Sequence, residues 1–247
     1  MAKKVFLGIG HGGSDPGAVA NGFKEADLNL DIGLACRDEL VRHGVNVKMS
    51  RTKDEYDPLT DEIKECNAYD PDLAVDIHNN AGGGDGAEVY YYSGGGISKI
   101  LASNINTAVI GIGQNSRGIK TRVNANGTDY YGFIRQTKAP AVIVECAFVD
   151  NKTDIKIIDT AAEQKTMGIA IAHGILKTLG IAILATTTAK KETATVKKDN
   201  TPDSYAKEAV EWAVKKGILV GDSNGDYKLH SNVTRQDVLV FLHRALK

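Results

Sequence analysis

Two stretches of this chain are apolar on both faces at once. Residues 72–78 (Asp-Leu-Ala-Val-Asp-Ile-His) and 139–145 (Ala-Pro-Ala-Val-Ile-Val-Glu) are dominated by small and β-branched side chains. A strand with one wet face alternates polar and apolar residues; runs like these belong in a sheet covered on both sides. A third apolar run, Val5-Phe6-Leu7, leads into Gly8-Ile9-Gly10-His11-Gly12-Gly13-Ser14-Asp15-Pro16-Gly17. Helical spacing fills the intervals. Residues 24–43 carry Leu28, Ile32, Ala35 and Leu40 and stop at Gly44. Residues 59–68, 98–112 (with Ser98 as N-cap) and 164–179 (ended by Gly180) also read as helices. Residues 45–50 and 86–92 read as strands, and 116–137 as strand-like pieces around a polar loop, 124–131, that borders a groove. Strands alternating with helices predict an α/β fold: a twisted, mostly parallel sheet flanked by helices.

In such sheets ligands bind at the carboxyl ends of the strands. His11, His78 and Glu145 each stand at the end of a predicted strand, and Glu25 opens the first helix. A histidine among glycines is exposed to whatever binds there, because the glycines permit positive φ and remove side-chain bulk. His11 and Glu25 read as two ligands of a catalytic Zn²⁺, with His78 as the third. Two imidazoles and one carboxylate around an open position form a hydrolytic zinc site. A further carboxylate off the metal must move protons, and Glu145, expected among apolar neighbours that raise its pKa, suits that task. Glu25 has an alternative role in complementing the helix dipole. Asp15 and Asp76 are rival ligands: Asp15 precedes a proline in a turn, while Asp76 shares a strand face with His78. His43, His173, His230 and His243 read as surface or core side chains.

Other chemistries fit poorly. Gly8, Gly10 and Gly13 satisfy G-x-G-x-x-G, but Ser14-Asp15-Pro16-Gly17 prolongs the loop where a dinucleotide turn must open into a helix. No Gly-Lys-Ser/Thr follows, so a P-loop is excluded. A net charge of −1 gives no global basic field for nucleic acid or an anionic membrane. The three cysteines, Cys36, Cys66 and Cys146, lack metal-site spacing and are odd in number, which argues against a disulfide framework. Neither a membrane span nor a signal peptide is recognisable, and cleavage after the short apolar run at Val5 would remove His11. Free thiols fit synthesis in a reducing compartment.

The 247 residues leave room for one α/β domain and something small. Residues 181–202 are small, polar and charged with no apolar period, as in a flexible linker. Residues 203–247 recover helical patterning, which predicts a small α-helical C-terminal domain. The expected organisation is therefore 1–180, 181–202 and 203–247.

Separated motifs sharpen this reading. Gly10-His11-Gly12-Gly13, Asp15-Pro16-Gly17-Ala18, Glu25, Asn29-Leu30, Ser50-Arg51-Thr52, Asp76-Ile77-His78-Asn79-Asn80-Ala81, Gly86-Ala87-Glu88-Val89-Tyr90, Arg117-Gly118-Ile119-Lys120 and Ala141-Val142-Ile143-Val144-Glu145-Cys146-Ala147-Phe148-Val149 occur in an order that resembles the zinc-dependent N-acetylmuramoyl-L-alanine amidases of the amidase-3 family, over residues 4–180. The resemblance implies zinc on His11, Glu25 and His78 with Glu145 as catalytic carboxylate. It also implies peptidoglycan as substrate, cut between N-acetylmuramic acid and the L-alanine of the stem peptide. The chain departs from the family at Glu62 (commonly arginine), Asp76 (usually serine) and Asn79 (usually small). From Tyr205 on, Trp212-Ala213, Gly217-Ile218-Leu219, Gly221-Asp222 and Val233-Thr234-Arg235-Gln236-Asp237 are similar to one S-layer homology repeat, which implies binding to a secondary cell-wall polymer. Thr234 and Asp237 resemble a capping box. Asp222, Asn224 and Asp226 hint at a calcium loop, although Tyr227 and Val233 stand where glycine and glutamate are needed. One repeat buries little core, so the tail is expected to associate with copies of itself or to dock on the catalytic domain. The favoured expectation is a phage or prophage endolysin. The alternatives are a bacterial autolysin, a wall-binding protein with a degenerate amidase domain, and a zinc peptidase acting within the stem.

Overall fold

A computed structural model of the chain describes residues 2–184, 202, 207–217, 219 and 227. The chain divides into two units, Met1–Leu184 and Ala185–Lys247. In the first unit the order is β1 (Lys4–Ile9), a short hairpin β2 (Val19–Ala20) and β3 (Phe23–Lys24), α1 (Glu25–Arg42), β4 (Asn46–Met49), α2 (Leu59–Tyr69), β5 (Leu73–Asn80), β6 (Ala87–Tyr91), α3 (Gly96–Gly111), β7 (Ser116–Lys120), α4 (Gly132–Gln136), β8 (Ala141–Phe148), a 3₁₀ turn (Asp154–Ile157) and α5 (Ala161–Leu179).

Six strands form one sheet in the order β4-β1-β5-β8-β6-β7. All neighbours run parallel except β6, which is antiparallel to β8. The double-faced apolar runs occupy the centre, and each strand sends alternate residues to opposite faces. Val5, Leu7, Ile9, Val75, Ile77, Val142 and Val144 enter the core shared with α1, α3 and α5. Phe6, Ala74, Ala141 and Ile143 pack on the other face, against Ile63 and Cys66 of α2 and Phe133 and Ile134 of α4. All three cysteines are buried and unpaired.

Several boundaries differ from the sequence expectation. The third helix starts at Gly96 behind Gly95, and Ser98 turns its hydroxyl back to the Gly95 carbonyl instead of capping the end. Helix α5 begins three residues early, because Thr160 and Glu163 close a reciprocal capping box. Of the pieces expected over 116–137, β7 is a strand but residues 132–136 are helical, with buried Phe133 and Ile134 setting that conformation. Strands β5 and β8 run on past His78 and Glu145, so neither residue ends its strand.

In the second unit α6 (Lys207–Lys215) is described. The linker expected over 181–202 falls outside the described residues except for 181–184 and 202. Asp222, Asn224, Asp226, Thr234 and Asp237 also lie outside them. No helix among the described residues is long and apolar enough to cross a membrane.

Helices α1 and α5 approach closely because α5 presents Gly168, where a β-carbon would lie 2.4 Å from the Ile32 carbonyl oxygen and 2.8 Å from the Cys36 nitrogen. Gly168→Val is expected to lower unfolding free energy by about 2 kcal/mol, the usual scale of overpacking. A urea midpoint unchanged from wild type would show that the helices part freely.

Candidate metal centre

The site begins with the turn after β1. Gly12 and Asp15 exchange backbone hydrogen bonds, and this tight loop holds His11 at φ +62°, a left-handed conformation uncommon outside glycine. Glycine is required on either side of it. A β-carbon on Gly10 would lie 2.1 Å from Cε1 of His78, so only a bare backbone lets the two histidines meet. At Gly17, φ is +63° and a β-carbon would crowd both Glu25 Oε2 and His11 Cδ2 at 2.7 Å.

Three side chains converge there. His11 Nε2 is 3.3 Å from Glu25 Oε1, and His78 Nδ1 is 3.0 Å from the same oxygen. The imidazoles stand edge to face, with centroids 5.1 Å apart. One ligand atom from each of the three residues falls within 4.8 Å of the others, and among the described residues this is the one His/Cys/Asp/Glu group with metal-binding proximity. Two neutral nitrogens and one carboxylate are a fitting donor set for zinc. The structure thus brings together the three residues expected to bind it. Neither rival joins them: Asp15 and Asp76 lie behind the imidazoles. Asp15 Oδ2 is 2.9 Å from His11 Nδ1, and Asp76 Oδ2 is 3.4 Å from His78 Nε2. Carboxylates in that position fix which nitrogen faces a metal.

Glu25 is almost wholly buried. Its Oε1 accepts the Asn79 amide N–H at 3.1 Å, and its Oε2 accepts that of Ala18 at 3.0 Å. Burial opposes its charge, but the hydrogen bonds from His11 and His78 outweigh burial and hold the carboxyl well below the usual carboxylate range. The hydrogen bond to Glu25 raises the pKa of His11. Burial opposes charge on His78 too, yet Asp76, Glu25 and Glu145 raise its pKa well above the ordinary value. A cation entering here must therefore displace protons.

Glu145 sits directly opposite His78 in the β5–β8 register and opposite Glu88 across β6. Its Oε2 is buried with no hydrogen-bond partner. Burial pushes its carboxyl up to about 7; His78 pulls downward, while Glu25, Asp76 and Glu88 add to the rise. A cleft of about 320 Å³ opens beside the histidines, walled by Tyr56, Leu59, Tyr131 and Phe133. The loop expected to border a groove thus contributes Tyr131, and Arg122 stacks 3.8 Å over the neighbouring Tyr130 ring.

Two supports were not assigned from sequence. Arg51 is fully buried, and its guanidinium donates to the carbonyls of Ile9, Gly10, Ala26 and Lys53, tying the end of β1 to the first turn of α1. Asn29 donates to the Gly10 carbonyl and accepts from Asn79 Nδ2. Both fall in the motifs that carry the family resemblance, the one signal by which they could have been found.

Comparison with known proteins agrees with this geometry. Residues 5–177 match the family described as N-acetylmuramoyl-L-alanine amidase, and residues 198–239 match the S-layer homology domain. The chain is 34% identical over 208 residues to N-acetylmuramoyl-L-alanine amidase CwlM of Bacillus licheniformis, covering 83% of this chain and 80% of that one. It is 34% identical over 190 residues to the endolysin of Bacillus phage SPP1, covering 73% and 68% respectively. The structure of Cwp6 from Clostridium difficile superposes with a TM-score of 0.71 at 39% identity, over 72% of this chain and 30% of Cwp6. A family match spanning most of the chain, laid over a sheet whose carboxyl edge gathers His11, Glu25 and His78, places this chain in the N-acetylmuramoyl-L-alanine amidase family.

Proposed function

We propose that this protein hydrolyses the amide between N-acetylmuramic acid and the L-alanine of the stem peptide in peptidoglycan, with Zn²⁺ held by His11, Glu25 and His78. The observation that carries this is the convergence of those three side chains beside a half-buried, unpartnered carboxylate at Glu145. Bound zinc would lower the pKa of water and polarise the amide carbonyl. Glu145 takes the proton of the attacking water and returns it to the departing alanine nitrogen. Its pKa near 7 suits both halves of that exchange. Glu25, held anionic, supplies the carboxylate ligand, and Asp15 and Asp76 orient the two imidazoles.

The catalytic unit is assigned to 1–180 and a linker to 181–202. Residues 203–247 form a wall-binding module that holds the enzyme on a secondary cell-wall polymer; the S-layer homology match supports this. Association of that module with copies of itself follows from the small core a single repeat can bury. The endolysin among the relatives supports release of the enzyme by a phage or prophage.

Purified chain is expected to bind one zinc per site and to lose wall-lytic activity with a chelator. Mass spectrometry of digested peptidoglycan should show peptides beginning with free L-alanine; fragments cut inside the stem would instead identify a peptidase. Glu145→Gln should retain zinc while hydrolysis falls by about 10²–10⁴-fold, the range for loss of a general base; near-wild-type lysis rejects the assignment. Because the pKa values of His11 and His78 are raised, protons compete with zinc and affinity falls as pH is lowered. The general base must be ionised, and a nearby cation lowers its pKa, so the acidic limb of activity is expected at or below about pH 7. A rate that stays flat through that limb counts against Glu145.

A further inference from the structure

We propose that Arg117 holds a carboxylate of the stem peptide, within about three residues of the scissile amide, and so selects stems that carry a free acid there. The inference rests on the amidase reading above and names the peptide-side contact of the same site. His78, Glu145 and Glu88 are register partners on three neighbouring strands, β5, β8 and β6. Residues opposite one another in a sheet point to the same face, so this row leads from the metal centre across the sheet toward its outer strand, β7. There the buried Glu88 accepts hydrogen bonds from Arg117 Nε, from Lys120 Nζ at 2.8 Å and from the Tyr90 hydroxyl at 2.8 Å. A single cation compensates a buried carboxylate, and this one has two. Lys120 and Tyr90 suffice for Glu88, which leaves the charge of Arg117 in excess.

The side chain of Arg117 is fixed in place but only partly used. Its guanidinium carbon lies 5.0 Å from the centre of the Phe148 ring, at the carboxyl end of β8. Only Nε is engaged; the two terminal amino groups have no hydrogen-bond partner among the described residues, and the side chain is 39% exposed. The other carboxylate acting on it, Asp154, uses its oxygens to accept from the amides of Gly86 and Phe148 and from Gln114 Nε2. A guanidinium held at Nε presents its outer edge as a two-pronged donor, the geometry that receives a carboxylate. Strand β7 is two strand spacings from β8, about 10 Å, which an extended peptide crosses in about three residues. Charge sets the direction. The cleft beside the histidines is lined by Asp15, Asp57, Glu62 and Asp76, which repel an acid and tolerate an uncharged sugar, whereas Arg117 lines no part of it. The acidic half of the substrate therefore runs toward β7 and the glycan toward the cleft.

The test sets the full chain, supplied with zinc, against L-alanyl-D-isoglutamyl-L-lysine and the same peptide with its isoglutamyl carboxylate amidated, each free and joined to N-acetylmuramic acid. Wild type is expected to bind the acid about 10-fold more tightly than the amide, the lower end for a hydrogen bond to a charged group, and to show the same preference in kcat/KM. Arg117→Gln should bring that ratio close to unity. A residue that only braced Glu88 would weaken acid and amide together and leave the ratio standing. Equal treatment of the two by wild type, or a preference retained in Arg117→Gln, overturns the assignment. In the wild-type protein the ¹⁵Nε signal of Arg117 should shift on titration with the acid and not with the amide, which decides the matter if the variant does not fold; an unmoved signal also overturns the assignment. A preference seen in binding without hydrolysis of either muramyl peptide rejects the amidase reading and leaves the carboxylate subsite standing, which separates the two failures.

Discussion

One carboxylate, Glu25, ties together parts of the chain that are otherwise far apart in sequence. It accepts from the loop at Ala18, from the backbone of β5 at Asn79, and faces both imidazoles. A buried anion is costly unless surrounded by donors, and here every donor comes from a segment that also builds the site. Its position as the first residue of α1 adds the favourable end of the helix dipole. The left-handed backbone at His11 and the bare Gly10 and Gly17 are what allow the ring and the carboxylate to meet. Arg51 then fixes the carbonyls of the same loop from below.

The two glutamates show how one fold sets opposite proton affinities on the same kind of group. Glu25 is saturated with donors and stays ionised, whereas Glu145 keeps an unpartnered oxygen among like charges and is pushed up to about 7. Carboxyl groups whose environments push their pKa values apart mark a division of labour between binding and proton transfer. In the proposed mechanism Glu25 belongs to the metal and Glu145 to the proton.

Much of this was legible in the sequence because the strongest signals were local. The runs at 72–78 and 139–145 are apolar on both faces, and they form the sheet centre. The glycines around His11 announce a loop that needs bare backbone. What could not be read were features decided by distant partners. The antiparallel setting of β6 depends on its pairing with β8. Strands β5 and β8 outrun His78 and Glu145 because they continue to pair up to Asn80 and Phe148. The short helix α4 owes its place to Phe133 and Ile134 packing under the sheet. Nothing local in the sequence marks Arg51 as buried; only the fold shows that it serves four carbonyls. Alternation along the strand puts Asp76 on the same face as His78, and the structure agrees, but that face places Asp76 behind the ring.

The sheet order also bears on when the protein comes alive. Strand β8 is the last strand among the described residues, yet it lies between β5 and β6, pairing Ala74 with Ala141 and Glu88 with Glu145. Pairings so distant in sequence form slowly, since long loops must close before any contact rewards them. A ribosome-bound chain therefore displays the loop bearing His11 and the strand bearing His78 well before the proposed base can be inserted beside them. Until residues 141–148 have emerged and slotted between their neighbours, a half-made chain lacks the carboxylate assigned here to proton transfer.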